Sequence, residues 1–194
     1  MLFYKSKILG FVFLFCLINA GCKKTYTPKP RGFYRIDLPE KIYKKFDRSF
    51  PYSFQYPDYT NILIDISENA EPYWIDIDYP QLNGKIHISY KTINNNFNIL
   101  TEDSRTFAYK HAVKANAINE TFVQQKDKKV YGIIYEIKGN AASSIQFHLT
   151  DSVRNFLRGS LYFYEQPNVD SLAPVINFCK KDIEYLIETF EWNN

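Results

Sequence analysis

Cysteine, glycine and histidine are scarce in this 194-residue chain, which holds 3, 7 and 3 of them. Each scarcity removes a class of function. Cys16 and Cys22 lie near the N-terminus, so beyond them only Cys179 remains and no disulfide can close within the body of the chain. His87, His111 and His148 are far apart, with no pair at helical spacing and no Cys–His cluster, so no metal site is expected. The scattered glycines form no loop able to cradle a phosphate, and no Gly-x-Ser-x-Gly elbow presents a nucleophile. No apolar run is long enough to span a bilayer. The longest, residues 8–18, reaches about 16 Å at ~1.5 Å per residue, against a hydrocarbon core of ~30 Å. A large charge of one sign is missing too: the formal net charge is +3. Much of that excess sits in Lys23, Lys24, Lys29 and Arg31, a placement suited to an anionic membrane surface rather than a nucleic-acid groove. No nucleic-acid partner and no cofactor are expected.

What is present begins with a leader. Lys5 and Lys7 make a positive segment, residues 8–18 an uncharged apolar one, and Ala20-Gly21 supply small residues before Cys22. Small residues admit the backbone to a peptidase cleft, and a thiol is needed to carry a diacylglycerol thioether. Residues 1–21 therefore read as a lipoprotein signal peptide, cleaved between Gly21 and Cys22, with Cys22 lipidated. Asn19 stands where such leaders usually carry an aliphatic residue, with Ile18 displaced by one. Several acyl chains at ~0.8 kcal/mol per buried CH₂ hold a protein on a membrane essentially permanently. Lys23 and Lys24 are not the aspartate that retains many lipoproteins in the inner membrane, so the expected location is the periplasmic face of the outer membrane. Residues 22–32, rich in proline and basic residues, form an extended tether.

Residues 33–194 read as a single domain. The aromatic share of 18%, with 16 Tyr and 16 Phe, leans toward sheets. Apolar residues alternate along 53–57, 62–66, 74–79, 85–91, 117–125, 128–138, 143–151 and 156–164. Asn83-Gly84 predicts a hairpin joining the third and fourth of these, with Asp76 and Asp78 sharing a face with Lys85 and Lys91. Period-3.6 patterns predict two helices. One carries Phe97, Leu100, Ser104, Phe107, His111 and Ala115. The other carries Leu172, Val175, Ile176, Cys179, Ile183, Leu186, Ile187 and Phe190, with Asp170 or Ser171 as cap and Pro174 in its first turn. The fold class is α+β: a mainly antiparallel sheet with two main helices packed on it. On this pattern Cys179 is a small core side chain rather than a nucleophile.

No constellation announces catalysis, and an enzyme is not expected. Residues 139–164 are the most unusual segment. Its strands place Ser144, Gln146, His148 and Thr150, then Arg158, Ser160 and Tyr162, on one polar face. That face reads either as a solvated or helix-covered sheet surface, or as a contact surface. In the second case Gln146, His148, Arg154, Arg158 and Tyr162 form it, with the arginines meeting an acidic partner. Two further readings make definite demands. A small-ligand- or lipid-binding lipoprotein needs a pocket between sheet and helix with converging polar groups. A hydrolase needs Ser143 or Ser144 within hydrogen-bond reach of His111 or His148.

Several blocks are unlike general motifs: YTPKPRG at 26–32, RIDLP at 35–39, NGKIHISYK at 83–91 after Tyr79-Pro80, and EDSR at 102–105 with Lys110-His111. GNAASS at 139–144, LTDS at 149–152 and FLRG at 156–159 complete the set. On these blocks the chain resembles the gliding-motility lipoprotein GldD family of Bacteroidota over nearly its whole length after Cys22. The resemblance implies a lipid-anchored envelope protein required for gliding, tied to the type IX secretion machinery and to the inner-membrane protein GldE. It supplies no catalytic residues. The order of strands and helices is similar to the PsbP/Mog1-like α/β/α sandwich, an analogy of fold alone.

Overall fold

The computed structural model describes residues 36–110, 115–165 and 169–193. Gly21, Cys22, the tether and His111 lie outside them. The alternation at Ile75, Ile77 and Tyr79 against Ile86, Ile88 and Tyr90 produces the expected hairpin. Its strands are β5 (Ile75–Tyr79) and β6 (Gly84–Thr92), antiparallel with Ile77 opposite Ile86. The link is a 3-10 turn, Pro80–Leu82, which ends on Asn83 at φ 51, the left-handed region that asparagine tolerates. A strand β4 (Asn61–Ile64) flanks β5 at one edge.

Helix α1 (Phe97–Tyr109) follows β6. The chain then runs through a meander, β7 (Ala115–Gln125), β8 (Val130–Gly139), β9 (Ser143–Thr150) and β10 (Asn155–Phe163). Strand β10 returns to pair with β6, giving a seven-stranded sheet in the order β4-β5-β6-β10-β9-β8-β7, antiparallel at every ladder. Helix α1 is thus the crossover from the middle of the sheet to its far edge and lies against one face. Helix α2 (Val169–Thr189) covers the other. The fold is α+β, two helices on a mostly antiparallel sheet, as the periodicity predicts.

Three local expectations shift. Residues 53–57 do not form one strand: β2 (Tyr52–Ser53) pairs with β11 (Glu191–Trp192), and β3 (Gln55–Pro57) pairs with β1 (Tyr43–Lys45). Ala115, assigned to the helical stripe by its spacing, begins β7 instead. Helix α2 starts at Val169, so Pro174 lies inside it rather than in its first turn. Proline there leaves the carbonyl of residue 170 without its donor four residues on, a loss confined to the second turn of the helix.

The main core fills the space between α2 and the sheet. Ile75, Ile77, Ile86, Ile88, Ile145, Phe147, Leu149, Leu157 and Leu161 point into it, all at most 1% exposed. They meet Val175, Cys179, Ile183, Leu186 and Ile187 of α2. At roughly 1.5–3 kcal/mol for each large side chain removed from water, this layer dominates stability. Its end is closed by stacked rings, Phe46 on Phe54 at 5.0 Å and Tyr52 on Phe190 at 6.1 Å. Gly159 is what lets the Phe147 ring cross β10, since a Cβ there would lie 2.2 Å from that ring.

Candidate functional site

The opposite face of the sheet is mixed, and α1 covers part of it: β6, β9 and β10 bring polar residues to it, while Ile133, Tyr135 and Ile137 of β8 form a small apolar cluster there with Ala108 of α1. Pairing brings Arg158 opposite both Ser89 and His148, and Ser160 opposite both His87 and Gln146. Helix α1 turns Leu100, Ser104 and Ala108 toward them. Every residue of β9 is buried, so its alternation records two covered faces, one apolar and one polar.

The structure divides the five residues of the expected contact surface. Gln146 and His148 are 1% and 3% exposed, beneath α1, and touch no partner directly while α1 stays in place. Arg158 and Tyr162 are half-buried on the same face. Arg154 is exposed on the turn before β10 and lines a different, open depression with Asp127, Lys128 and Trp192. The two arginines therefore do not form one patch.

Under α1, His148 stacks on Phe156 with centroids 5.3 Å apart, and Ser104 Oγ lies 3.4 Å from its Nδ1. Burial, and then the neighbouring Arg158 charge, push the His148 pKa down to about 4, so the ring is neutral near pH 7. The Arg158 Nη2 donates to Gln146 Oε1 at 2.7 Å, and the guanidinium sits 4.5 Å from the centre of the Phe107 ring. Burial lowers its pKa from the ordinary value. Two buried nitrogens, Arg158 Nε and Gln146 Nε2, have no hydrogen-bond partner among the described residues. Unsatisfied buried donors of this kind are uncommon and costly.

The other basic groups of this face are paired. Lys85 Nζ reaches Asp76 at 2.6 Å and His87 Nδ1 contacts the same carboxylate at 2.8 Å. Burial alone would raise the pKa of Asp76, but these two partners outweigh it and the carboxyl sits below its usual value. Lys91 pairs with Glu71 in the preceding loop, not with either aspartate of the shared hairpin face. Arg158 differs from all three: no carboxylate meets it among the described residues. Beside it, between α1 and the sheet, lies a cavity of about 290 Å³ with Trp74, Leu100, Phe107 and Phe156 in its walls.

Of the two histidines the hydrolase reading could use, His111 lies outside the described residues and His148 does not meet the expected serines. The Ser143 hydroxyl donates to the Ile145 carbonyl, and no hydrogen bond joins Ser143 or Ser144 to His148 among the described residues. The serine beside that histidine is Ser104, at a distance longer than proton transfer requires. No group of three His, Cys, Asp or Glu able to hold a metal occurs among the described residues. Cys179 is fully buried, and burial pushes its thiol pKa up to about 12.

One cluster escaped the sequence reading. Asp182, 1% exposed on α2, accepts Lys41 Nζ at 2.5 Å, the Tyr43 hydroxyl at 2.8 Å and the Tyr59 hydroxyl at 2.7 Å, with the Tyr79 hydroxyl at 3.5 Å. Burial and this carboxylate raise the pKa values of Tyr43 and Tyr59 above the usual phenolic range. The available signal was a carboxylate at helical spacing on the apolar stripe, three residues after Cys179 and four before Leu186.

The model of one protein family, described as gliding motility lipoprotein GldD, matches residues 23–192. Among solved structures the chain is similar to the solution structure of cyanobacterial PsbP (CyanoP) from Synechocystis sp. PCC 6803. The identity is 10%, over 80% of this chain and 95% of that one, with a TM-score of 0.48. No curated protein matches.

Proposed function

The chain belongs to the gliding motility lipoprotein GldD family, and from that premise we propose that it is a non-enzymatic accessory component of the gliding and type IX secretion machinery. In this reading Cys22 carries the lipid, residues 22–32 are the tether, and the described domain faces the periplasm from the outer membrane. Its partners are other proteins of that machinery, with inner-membrane GldE the first to test. The observation that carries the reading is the extent of the family match, which starts at Lys23, directly after the acceptor cysteine, and runs to Trp192. The chemistry under α1 supports the non-enzymatic part. A histidine held near pKa 4 is a weak base at neutral pH, and its serine neighbour is distant.

Deleting the gene should abolish cell spreading, and restoring the wild-type copy should recover it. A palmitate analogue fed to cells should label the wild-type protein and not Cys22→Ala. Normal gliding and secretion in the deletion strain would overturn the proposed role, and equal labelling of the two proteins would overturn the anchor.

A second reading, a lipoprotein that binds a small ligand, is favoured by one observation: the cavity between α1 and the sheet, where apolar walls meet polar groups.

A further inference from the structure

We propose that the cavity beneath α1 is a binding site for a small organic monocarboxylate with a flat apolar body, whose carboxylate pairs with Arg158. Taking a guanidinium partly out of water is unfavourable unless an anion compensates it. On this face Lys85, His87 and Lys91 each have a carboxylate, and Arg158 has none among the described residues. Its neighbours are a neutral amide oxygen, the Tyr162 hydroxyl and an aromatic ring, which hold the guanidinium in place without neutralising it. A guanidinium is a planar fork of donors that matches a carboxylate's two oxygens.

The walls specify the rest of the ligand. Phe107 from α1, Phe156 from β10 and Trp74 before β5 bring ring surfaces to one cavity. Trp74 is held by its indole N–H, which donates to the Tyr90 carbonyl at 2.9 Å. Aromatic walls favour a flat apolar body, because stacked and edge-on ring contacts add to the gain from burial. The volume, about 290 Å³, lies at the small end of ligand pockets, suited to one ring and its acid group. Asp103 stands on the lining as well, and its negative charge disfavours a doubly charged anion such as phosphate. The hydroxyl of Ser104, also on the lining, supplies a second donor.

The inference stands on this cavity and not on the gliding role. A deletion strain that moved normally would leave it untouched. The test uses the full lipidated chain in phospholipid nanodiscs, with empty nanodiscs as blank. Calorimetry and saturation-transfer NMR follow titration with benzoate, acetate and inorganic phosphate. Benzoate should bind with a Kd of about 1 mM or tighter, and acetate and phosphate roughly tenfold more weakly or worse. Arg158→Met should weaken benzoate roughly tenfold or more, while Arg154→Met binds like the wild type. If Arg158→Met fails to fold, Phe107→Ala, on the outer wall, serves in its place and should weaken benzoate several-fold. No benzoate binding up to about 10 mM, unchanged binding in Arg158→Met or its substitute, or phosphate binding as tightly as benzoate would each overturn the proposal.

Discussion

Asp182 and Arg158 sit on opposite sides of one sheet, each taken out of water by a helix, and their surroundings differ in kind. Asp182 is met by an ammonium and by phenolic hydroxyls from residues 41, 43, 59 and 79, so its lone pairs are used within the chain. Arg158 is met by an amide, the Tyr162 hydroxyl and a ring, has no carboxylate partner among the described residues and leaves Nε without a hydrogen bond there. The first arrangement closes a structure: it ties the segment that begins the domain to the helix that nearly ends it. The second leaves an interaction open beside a cavity. Burial of a charge alone therefore does not separate a structural role from a binding role; the census of its partners does.

Asp182 is where the two sides of the sheet should differ most in stability. Removing one member of a buried, paired set leaves its partners desolvated and unpaired. Asp182→Ala should therefore cost about 3–5 kcal/mol of unfolding free energy, the largest single effect expected here. Equilibrium urea denaturation checks it, and amide exchange near Lys41 and Tyr43 should quicken. A loss below about 1 kcal/mol would mean the cluster is solvated in solution and the contrast is false.

His148 makes the face beneath α1 sensitive to pH. Its folded pKa is about 4, whereas the unfolded value is about 6.5. The unfolded chain therefore takes up the proton first. The stability that comes from keeping the ring neutral is complete above about pH 6.5 and is lost as pH falls toward 4, by on the order of 3 kcal/mol. Unfolding free energy measured across that window should fall for the wild type and fall less for His148→Gln. Identical profiles would show that the face beneath α1 is wetter than its burial implies.

Much of this was legible in the sequence wherever the pattern is local. Ile75 and Ile77 against Ile86 and Ile88, with Asn83 at the turn, declared the β5–β6 hairpin and the shared face on which Asp76 meets Lys85. The meander from β7 to β10 and both helices followed from period alone. What could not be read depends on partners distant in sequence. Lys91 chose Glu71 in a loop that periodicity does not address. Residues 52–57 split between two small ladders because one half found β11, at the far end of the chain. Alternation along β9 was correct, but whether its polar side faces water depends on where the crossover helix lies, and Gln146 and His148 proved buried. Asp182 is the extreme case: its lysine partner lies 141 residues away.

The smallest expected effect tests the contrast most directly. In the purified chain, without ligand, Arg158→Met removes a desolvated cation and keeps a stem of similar length. Its unfolding free energy in urea should equal or exceed that of the wild type, within about 1 kcal/mol. A loss as large as that of Asp182→Ala would show that Arg158 is as fully paired as its counterpart, and the distinction drawn between the two faces would fail.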